Sequence, residues 1–386
     1  MFKRHKYQWL IGGLIILISF AIGFAIYSTA QKESASGIST KRIQAQYELW
    51  EKAYLRGNQD QKFVKTNNGS KNQTLSEAQG YGMLISVMAA RQGFGSHKTF
   101  NQLTNYYLAH QISSENPLMA WRQNQKGNKM VSTKAEKTSA TDGDLDIAYA
   151  LILADKRWGS KGQINYQKLA LNLLKSIAKY EINPTTGLPK VGDWATGKNQ
   201  NIVRTSDLMS AYFREFASYT KDGSWTKTMQ NSQKTLRSLS NQHKTGLMAD
   251  FVTVNGSDLV IKSVKANQVA SKHDAQYAFN ACRIPWRVAY DYQLNRSRIS
   301  KNVVEKINRF FESQKEITAI YTLNGKQVET YENTAFSAPI AYSAEVLNNA
   351  VLKKRYKKIL TSKIKNNDYY PATIQMLTLL ASGGLK

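Results

Sequence analysis

The amino-acid sequence predicts one all-α domain, and three observations support this. Apolar residues recur at intervals of three and four along most of the chain from residue 41, as in helices with one buried face. The apolar–polar alternation that is typical of strands is rare. Only six prolines occur, and no Pro/Ser-rich linker divides residues 41–386. This periodicity is compatible with a bundle, a solenoid or a closed toroid.

The helical pattern occurs in about eleven segments. These are residues 43–55, 77–91, 100–109, 143–157, 166–180, 206–219, 227–239, 281–293, 301–313, 336–350 and 372–381. The best candidate for strand structure is Ile317–Tyr331, where Asn324-Gly325 is typical of a hairpin turn. Polar residues at Asn67–Asn72 and Val191–Asn201 predict loops.

The N-terminal segment has the features of a signal anchor. The basic run Lys3–Lys6 precedes Trp9–Tyr27, which has no charged residue and would reach about 28 Å as a helix, close to the thickness of a bilayer core. We therefore expect residues 1–30 to be a cytoplasmic stub and transmembrane helix. Residues 31–40 would be a linker and residues 41–386 a domain outside the cell membrane. Secretion after cleavage near Ala30 is the alternative.

The chain is strongly basic, with a formal net charge of +26. Residues 1–30 contain three Lys or Arg and no acidic residue, which leaves +23 for the rest. The basic residues are scattered, so the sequence favours a surface facing an anionic cell wall over a nucleic-acid groove, and we expect no nucleic-acid partner. Such a charge also disfavours a polycationic substrate, because like charges repel over long range.

The cysteine and histidine content does not indicate a disulfide or a metal site. Cys282 is the only cysteine, which excludes an internal disulfide. The five histidines show no spacing typical of a metal site. We therefore expect neither a metal nor another cofactor.

The first candidate for catalysis is Glu77. Thr74 and Glu77 have the spacing of a capping box, which is a purely structural alternative. However, Gly80 and Gly82 follow in the same predicted helix, where each glycine costs about 1 kcal/mol relative to alanine. They are understandable if another group must approach the backbone closely. A carboxyl group in such a place can have its pKa raised by desolvation and can then serve as a general acid.

The second candidate is an acidic cluster at Asp142, Asp144 and Asp146. The sixth and twelfth positions of a calcium loop starting at Asp142 would be Ile147 and Leu153, which excludes an EF-hand. Helix capping remains an alternative for individual members, but three carboxylates within five residues repel one another and cannot all be caps. The cluster therefore indicates an active site.

The third candidate segment runs from Asp274 to Arg287. Pro285 lies within an apolar run and requires a kink or the start of a helix. Arg283 and Arg287 are four residues apart and could share one helical face, pairing with carboxylates or holding a loop. Elsewhere, aromatic residues could stack on sugar rings or belong to the core, namely Trp121, Trp194, Tyr369 and Tyr370.

Together these segments resemble glycoside hydrolase family 8. The active-site signature of that family is similar to Ala140–Asp144 followed by Ile147-Ala148 and Trp158, and its proton-donor segment is similar to Ser76–Met83. The resemblance covers residues 45–383. Further similar segments are Leu118–Trp121, Arg204–Asp207, Asn280–Arg287 and Tyr369-Tyr370.

The resemblance implies an (α/α)6 toroid and inverting hydrolysis of β-1,4-linked glucans, mixed-linkage glucans, xylans or chitosan. Glu77 would be the general acid, and Asp142 would bind and distort the sugar and help to hold the attacking water. An inverting site separates its acid and base by about 6.5–9.5 Å to admit that water. The expected substrate contacts are Tyr81, Trp121, Asp144, Asn280, Arg283 and Tyr369.

The sequence departs from the family pattern at the general base. Many members have Asp where this chain has Asn280, and an amide cannot accept the proton of water. A branch that also has Asn uses a Glu from the preceding loop, but Gln268–Asp274 contains no Glu. Asp274 is the carboxylate in that loop, and it is therefore the predicted base.

The predicted function is endo-hydrolysis of a β-1,4-glucan or mixed-linkage glucan by a monomeric catalytic domain, with the polysaccharide and the membrane as partners. A chitosanase remains an alternative, because chitosan-cleaving relatives share Asn280. The missing loop Glu makes a non-catalytic glycan-binding protein a second alternative. A nucleic-acid or membrane-surface binder would rest on charge alone.

Overall fold

Twelve α-helices account for most of residues 37–384, the part of the chain that the computed structural model describes. They are α1 (Thr40–Tyr54), α2 (Ser76–Arg91), α3 (His97–Ala109), α4 (Thr141–Trp158), α5 (Tyr166–Tyr180), α6 (Ser210–Thr220), α7 (Gly223–Gln242), α8 (Ile284–Asn295), α9 (Arg298–Glu312), α10 (Thr334–Leu347), α11 (Ala350–Thr361) and α12 (Tyr369–Gly383). The predicted predominance of helices is confirmed.

The helices form an inner and an outer layer. The even-numbered helices contact one another in the order α2, α4, α6, α8, α10 and α12, and α12 contacts α2, so the inner layer is a closed ring. The odd-numbered helices from α3 to α11 each pack outside, on an inner helix adjacent in sequence, and α1 packs on α12. This order is consistent with an (α/α)6 toroid.

The two layers follow from the distribution of apolar residues. Inner helix α2 is buried from Ala78 to Val87, so it has no solvent-facing side along that stretch. Outer helix α9 buries a single stripe that contains Val303, Val304, Ile307 and Phe311. A helix that is apolar on all sides must be enclosed, whereas an amphipathic helix can cover it and face water.

One helix was not predicted. In α11 the buried apolar residues Leu352, Tyr356 and Leu360 are four apart, and most positions between them are Lys or Arg. One apolar residue per turn is a weak periodic signal. This helix is stabilised by tertiary contacts with α10 and α12 that the local sequence does not reveal.

Within residues 37–384, short strands connect the helices in three antiparallel sheets. The first pairs β1 (Leu55–Gly57) with β2 (Lys62–Val64), the second contains β3 (Gln73–Leu75), β4 (Arg122–Lys126) and β5 (Lys129–Val131), and the third contains β6 (Ile202–Arg204), β7 (Phe251–Asn255) and β8 (Val260–Ser263). Strands of three to five residues are too short for a clear alternating pattern.

The predicted hairpin within Ile317–Tyr331 forms only in part. Gly325 adopts a left-handed φ of 93° in the turn, and its N–H donates to the carbonyl of Thr322. The flanking backbone pairs only as isolated bridges, Thr318 with Glu332 and Tyr321 with Gln327. The predicted helix start at Pro285 is confirmed, since this proline lies in the first turn of α8.

The expected membrane localisation requires correction. Of the helices in residues 37–384, α4 and α7 have at least 18 residues, but both carry charged or strongly polar residues, and no helix of this region is long and apolar enough to cross a membrane. We therefore withdraw the predicted cell-membrane localisation and the membrane as a partner. The predicted basic stub, transmembrane helix and most of the linker lie outside the described residues.

Candidate active site

The N-terminal ends of four inner helices bring the candidate residues together. Glu77 is the second residue of α2 and Asp142 the second of α4. Arg283 closes a 3-10 turn directly before α8, and Tyr369 begins α12. The same ends carry the partial positive charge of the helix dipole, which favours carboxylates there.

Two glycines allow α2 and α4 to approach closely at this point. A Cβ atom on Gly143 would lie 2.6 Å from the carbonyl carbon of Ser76 and 2.7 Å from the nitrogen of Glu77. A Cβ atom on Gly80 would lie 2.7 Å from Cβ of Asp146. The close approach that was expected near Gly80 is therefore made by α4, and it places Glu77 beside the acidic cluster.

The capping-box alternative for Glu77 does not fit its surroundings. The residue at the N-cap of α2 is Leu75, no side chain of the described region caps this end, and Oγ1 of Thr74 is buried without a hydrogen-bond partner there. Oε2 of Glu77 instead accepts a hydrogen bond from Nη1 of Arg283 at 3.0 Å. The hydroxyl of Tyr369 donates to Oε1 at 3.5 Å.

Arg283 connects the acid to the neighbouring carboxylate. Its side chain is 1% exposed, and its Nη1 also donates to the hydroxyl of Tyr81 at 2.8 Å and to Oδ2 of Asp142 at 2.9 Å. Its Nη2 donates to Oδ1 of Asn280 at 3.0 Å. The guanidinium thus fixes the positions of Glu77 and Asp142 relative to each other.

Asp142 is held as an anion. Burial would raise its pKa, but the guanidinium groups of Arg204, 3.0 Å from Oδ1, and Arg283 outweigh burial and hold the pKa at about 2. Arg204 also pairs with Oδ2 of the buried Asp207 at 3.0 Å. Burial raises the pKa of Asp207 to about 6, against the effect of Arg204.

The pKa of Glu77 is shifted in the opposite direction. Burial raises its pKa to about 7, the positive charge of Arg283 opposes this, and the negative charge of Asp142 adds to it. Near neutral pH a substantial fraction of Glu77 therefore carries a proton, while Asp142 beside it is ionised. Two carboxyl groups with divergent pKa values are the usual arrangement of an acid and its electrostatic partner in glycosidases.

The other two acids of the cluster have hydrogen-bond partners other than Arg283 and Tyr369, which contact Glu77. Asp146 forms a buried ion pair with Arg287, with Nη2–Oδ2 at 2.6 Å and Nη1–Oδ1 at 2.8 Å, and accepts from the hydroxyl of Tyr212. Asp144 is fully buried and accepts from the backbone N–H of Met119 at 2.9 Å. Its role in substrate binding stays a prediction, and the structure does not bring it into contact with Glu77.

Asp144 instead belongs to a second acidic group with Glu181. Burial and the proximity of Glu181 raise the pKa of Asp144 well above its usual value. Burial raises the pKa of Glu181 to about 8, although the hydroxyl of Ser139 donates to its Oε1 at 2.5 Å. Near neutral pH this pair therefore retains a proton. No cluster of three His, Cys, Asp or Glu side chains within residues 37–384 is arranged to hold a metal ion.

Protein stability is expected to fall as the pH rises through this pair's titration. In the unfolded chain Glu181 ionises near 4.5, whereas in the folded protein it keeps its proton to about pH 8. The stabilising contribution is complete below pH 4.5 and is lost between pH 4.5 and 8. In urea unfolding experiments, the free energy of unfolding of Glu181→Gln should decrease less steeply over this pH range than that of the wild type. The exposed-site control Glu316→Gln should match the wild type, and equal slopes for all three proteins would contradict the assignment.

The predicted aromatic contacts differ in accessibility. Tyr81 is fully buried, and its hydroxyl accepts a hydrogen bond from Arg283, so it helps to hold that guanidinium in place. Trp121 is half-buried. It lies beside the site, since its carbonyl accepts a hydrogen bond from the N–H of Ser76 at 3.0 Å. The guanidinium of Arg122 lies 4.4 Å from the centre of its ring. The role of both residues in substrate binding stays a prediction.

Glu77 and Asn280 line one open cleft of about 440 Å³, together with Phe279, Asn333, Asp368, Tyr370 and Pro371. The amide of Asn280 has a fixed orientation, since its Nδ2 donates to Oδ2 of Asp250 at 2.9 Å while its Oδ1 accepts from Arg283. The cleft is therefore lined at this point by a restrained amide, which cannot accept a proton from water.

Asp274, the predicted base, lies elsewhere. It is fully buried, and its carboxylate accepts hydrogen bonds from the backbone N–H groups of Val269, Ala270 and Ser271 at 2.6–3.2 Å. These contacts order the loop before Asn280. The structure does not bring Asp274 together with Glu77, and its role as base stays a prediction.

Sequence reasoning from the residues missed three participants. The sequence indicates Arg204 and Asp207 only as part of a segment similar to the family. It does not single out Asp250, which accepts the backbone N–H groups of Ala278, Asn280 and Ala281. A signal existed for Arg204, because an ionised Asp142 needs cationic neighbours. Nothing local marks Asp250, whose partners are about 30 residues away.

Comparison with known proteins shows which family matches this chain. The family described as glycosyl hydrolases family 8 matches residues 22–384. A beta-glucanase of Niallia circulans is 32% identical over 354 residues, 89% of this chain and 84% of the relative. Endoglucanase C of Ruminiclostridium cellulolyticum is 29% identical over 91% of this chain and 72% of its own length.

Solved structures show the same fold. The apo structure of a beta-1,3-1,4-glucanase from Paenibacillus sp. X4 has a TM-score of 0.81 at 31% identity, and the match covers 90% of this chain and 94% of that one. Rex8A from Paenibacillus barcinonensis, complexed with xylose, has a TM-score of 0.74 at 19% identity, with 90% and 94% coverage. At that identity the second likeness concerns the fold alone.

Proposed function

The chain belongs to glycosyl hydrolase family 8, and on that premise we propose that it cleaves internal β-1,4 bonds of a β-1,4-glucan or mixed-linkage glucan with inversion. The protein is a glycoside hydrolase. The observation that carries the mechanism is the pair formed by Glu77 and Asp142 on one guanidinium, that of Arg283. One carboxyl group can supply a proton near neutral pH, and the other stays charged.

The roles follow from these properties. Glu77 donates its proton to the glycosidic oxygen while the bond between that oxygen and the anomeric carbon breaks. The anion of Asp142 stabilises the positive charge that develops on the sugar ring and helps to orient the attacking water. The water enters from the opposite face, so a β-linkage yields an α-configured reducing end.

The arrangement of the helices determines where the active site lies in the domain. We infer that the closed inner ring and its outer helices are the (α/α)6 toroid, and that residues 41–386 form a single catalytic domain that acts as a monomer. The active site then lies at the end of the ring where the inner helices begin. The net charge of +23 outside residues 1–30 disfavours a cationic glucosamine polymer as substrate.

A panel of polymers tests the proposal. The wild type is expected to release reducing ends from mixed-linkage β-glucan or carboxymethylcellulose faster than from xylan or chitosan. Proton NMR of the first products should show the α-anomer before mutarotation. Retention of the β-anomer would exclude inversion, and the absence of hydrolysis of every polymer would exclude the function.

A further inference from the structure

Inverting hydrolysis needs a carboxylate that accepts a proton from the attacking water, and Asn280 cannot supply it. We propose that Asp368 is the general base of the reaction described above. The inference rests on the proposed function, because it concerns the same cleft and the same bond. It assigns the role to a residue outside the loop that contains Asp274 and Asn280.

Several carboxylates near the site are already engaged. Asp142 is bound by two guanidinium groups, and these hold its pKa at about 2, which makes it a poor proton acceptor. Asp207 is fully buried against Arg204. Asp250 and Asp274 are buried, and each accepts at least three hydrogen bonds from backbone N–H groups. Moving any of these to a substrate-bound water would leave buried donors unpaired.

Asp368 differs from them in exposure and in the freedom of its carboxylate. It lies at the N-cap position of α12, yet its side chain makes no capping hydrogen bond within the described chain. Asp is favoured at N-caps because it accepts such bonds. Here the residue is exposed and lines the cleft that contains Glu77 and Asn280. Its carboxylate is therefore accessible to a water in the cleft.

The neighbouring residues attach this segment to the rest of the site. The hydroxyl of Tyr369 contacts Oε1 of Glu77 at 3.5 Å, and the hydroxyl of Tyr370 donates to the carbonyl of Phe279 at 2.5 Å. The N–H of Asp368 itself donates to the hydroxyl of Tyr54 at 3.3 Å. The backbone that carries Asp368 is thus anchored both to the acid and to the loop of Asn280.

The electrostatic setting suits a proton acceptor. Partial burial raises the pKa of Asp368 above its usual value, and Lys365 opposes this effect. A carboxylate with a raised pKa is a stronger proton acceptor in its ionised form.

In the proposed hydrolysis step, Asp368 accepts a proton and Glu77 donates one. A proton of water moves to the carboxylate of Asp368 as the water oxygen bonds to the anomeric carbon. The bond from that carbon to the leaving oxygen breaks, and this oxygen takes the proton of Glu77. One water is consumed for each bond cleaved. Proton transfer from Asp368 through solvent to Glu77 restores both groups.

Removal of the side chain tests the assignment. Asp368→Ala is expected to lower kcat on β-glucan by about 10²–10⁴-fold, with little change in KM. Sodium azide should restore turnover and yield a glycosyl azide of inverted configuration, because the anion can occupy the space left by the carboxylate. A merely structural role for Asp368 would not produce this product.

A control variant, an activated substrate and the Asp274→Ala variant distinguish a general base from a structural role of Asp368. Asp258→Ala, at an exposed aspartate outside the cleft lining, should behave as the wild type. A β-glycosyl fluoride, whose leaving group needs no acid, should rescue Glu77→Gln but not Asp368→Ala. Full activity of Asp368→Ala, or azide rescue of Asp274→Ala instead, would overturn the assignment while the proposed function stands. An inactive wild type would overturn both.

Discussion

Glu77→Gln is expected to lower kcat on an unactivated β-glucan by about 10²–10⁴-fold. The amide keeps the size and the contact with Arg283 but cannot supply a proton to the leaving oxygen. Substrate binding should be retained, because the cleft is unchanged. Reducing-sugar assays and isothermal titration with an oligosaccharide on the same preparation separate the two effects.

The pH profile gives an independent check of this role. Since burial raises the pKa of Glu77 to about 7, and the protonated form is active, kcat/KM of the wild type should fall as the pH rises through about 7. The fall should be absent with a β-glycosyl fluoride.

Glu332→Gln, at an exposed glutamate next to Asn333, serves as the matched control for Glu77→Gln and should keep wild-type activity. A Glu77→Gln enzyme with normal turnover would exclude Glu77 as the acid.

The sequence singles out Glu77 but does not predict the groups that surround it. By spacing alone Glu77 is a capping residue, and the glycines at 80 and 143 acquire their meaning only when α2 and α4 meet. The resemblance to the family points to both segments because each acidic motif is local in sequence. The guanidinium that links them comes from Arg283, more than 140 residues beyond Asp142.

The base illustrates the opposite case. Nearness to Asn280 in sequence favours Asp274 as the general base, but proximity in sequence does not determine where a side chain points. In the folded chain backbone N–H groups surround its carboxylate, and Asp368 reaches the cleft from the far end of the chain. The same limitation applies to α11 and to the short strands, whose stability depends on tertiary contacts rather than on local pattern.

Arg283→Met is expected to impair both stability and catalysis. The substitution keeps an unbranched side chain of similar length but leaves the buried carboxylates of Glu77 and Asp142 without the cation between them. Breaking a buried ion pair by removing one partner costs about 3–5 kcal/mol of unfolding free energy. Repulsion between the two carboxyl groups should also raise the pKa of Glu77 further, and Asp142 would lose one of its two restraints.

Urea unfolding at several pH values distinguishes this mechanism from a simple packing defect. If uncompensated charge is the cause, the stability difference between Arg283→Met and the wild type should shrink as the pH falls and Glu77 is protonated. Adding Asp142→Asn should recover part of the lost stability without restoring turnover, since the anion that assists the reaction is then absent. Arg237→Met, at an exposed arginine of α7, should be neutral. A deficit that is independent of pH and unaffected by Asp142→Asn would mean that Arg283 contributes packing rather than charge, and that Glu77 and Asp142 are positioned by the helix ends alone.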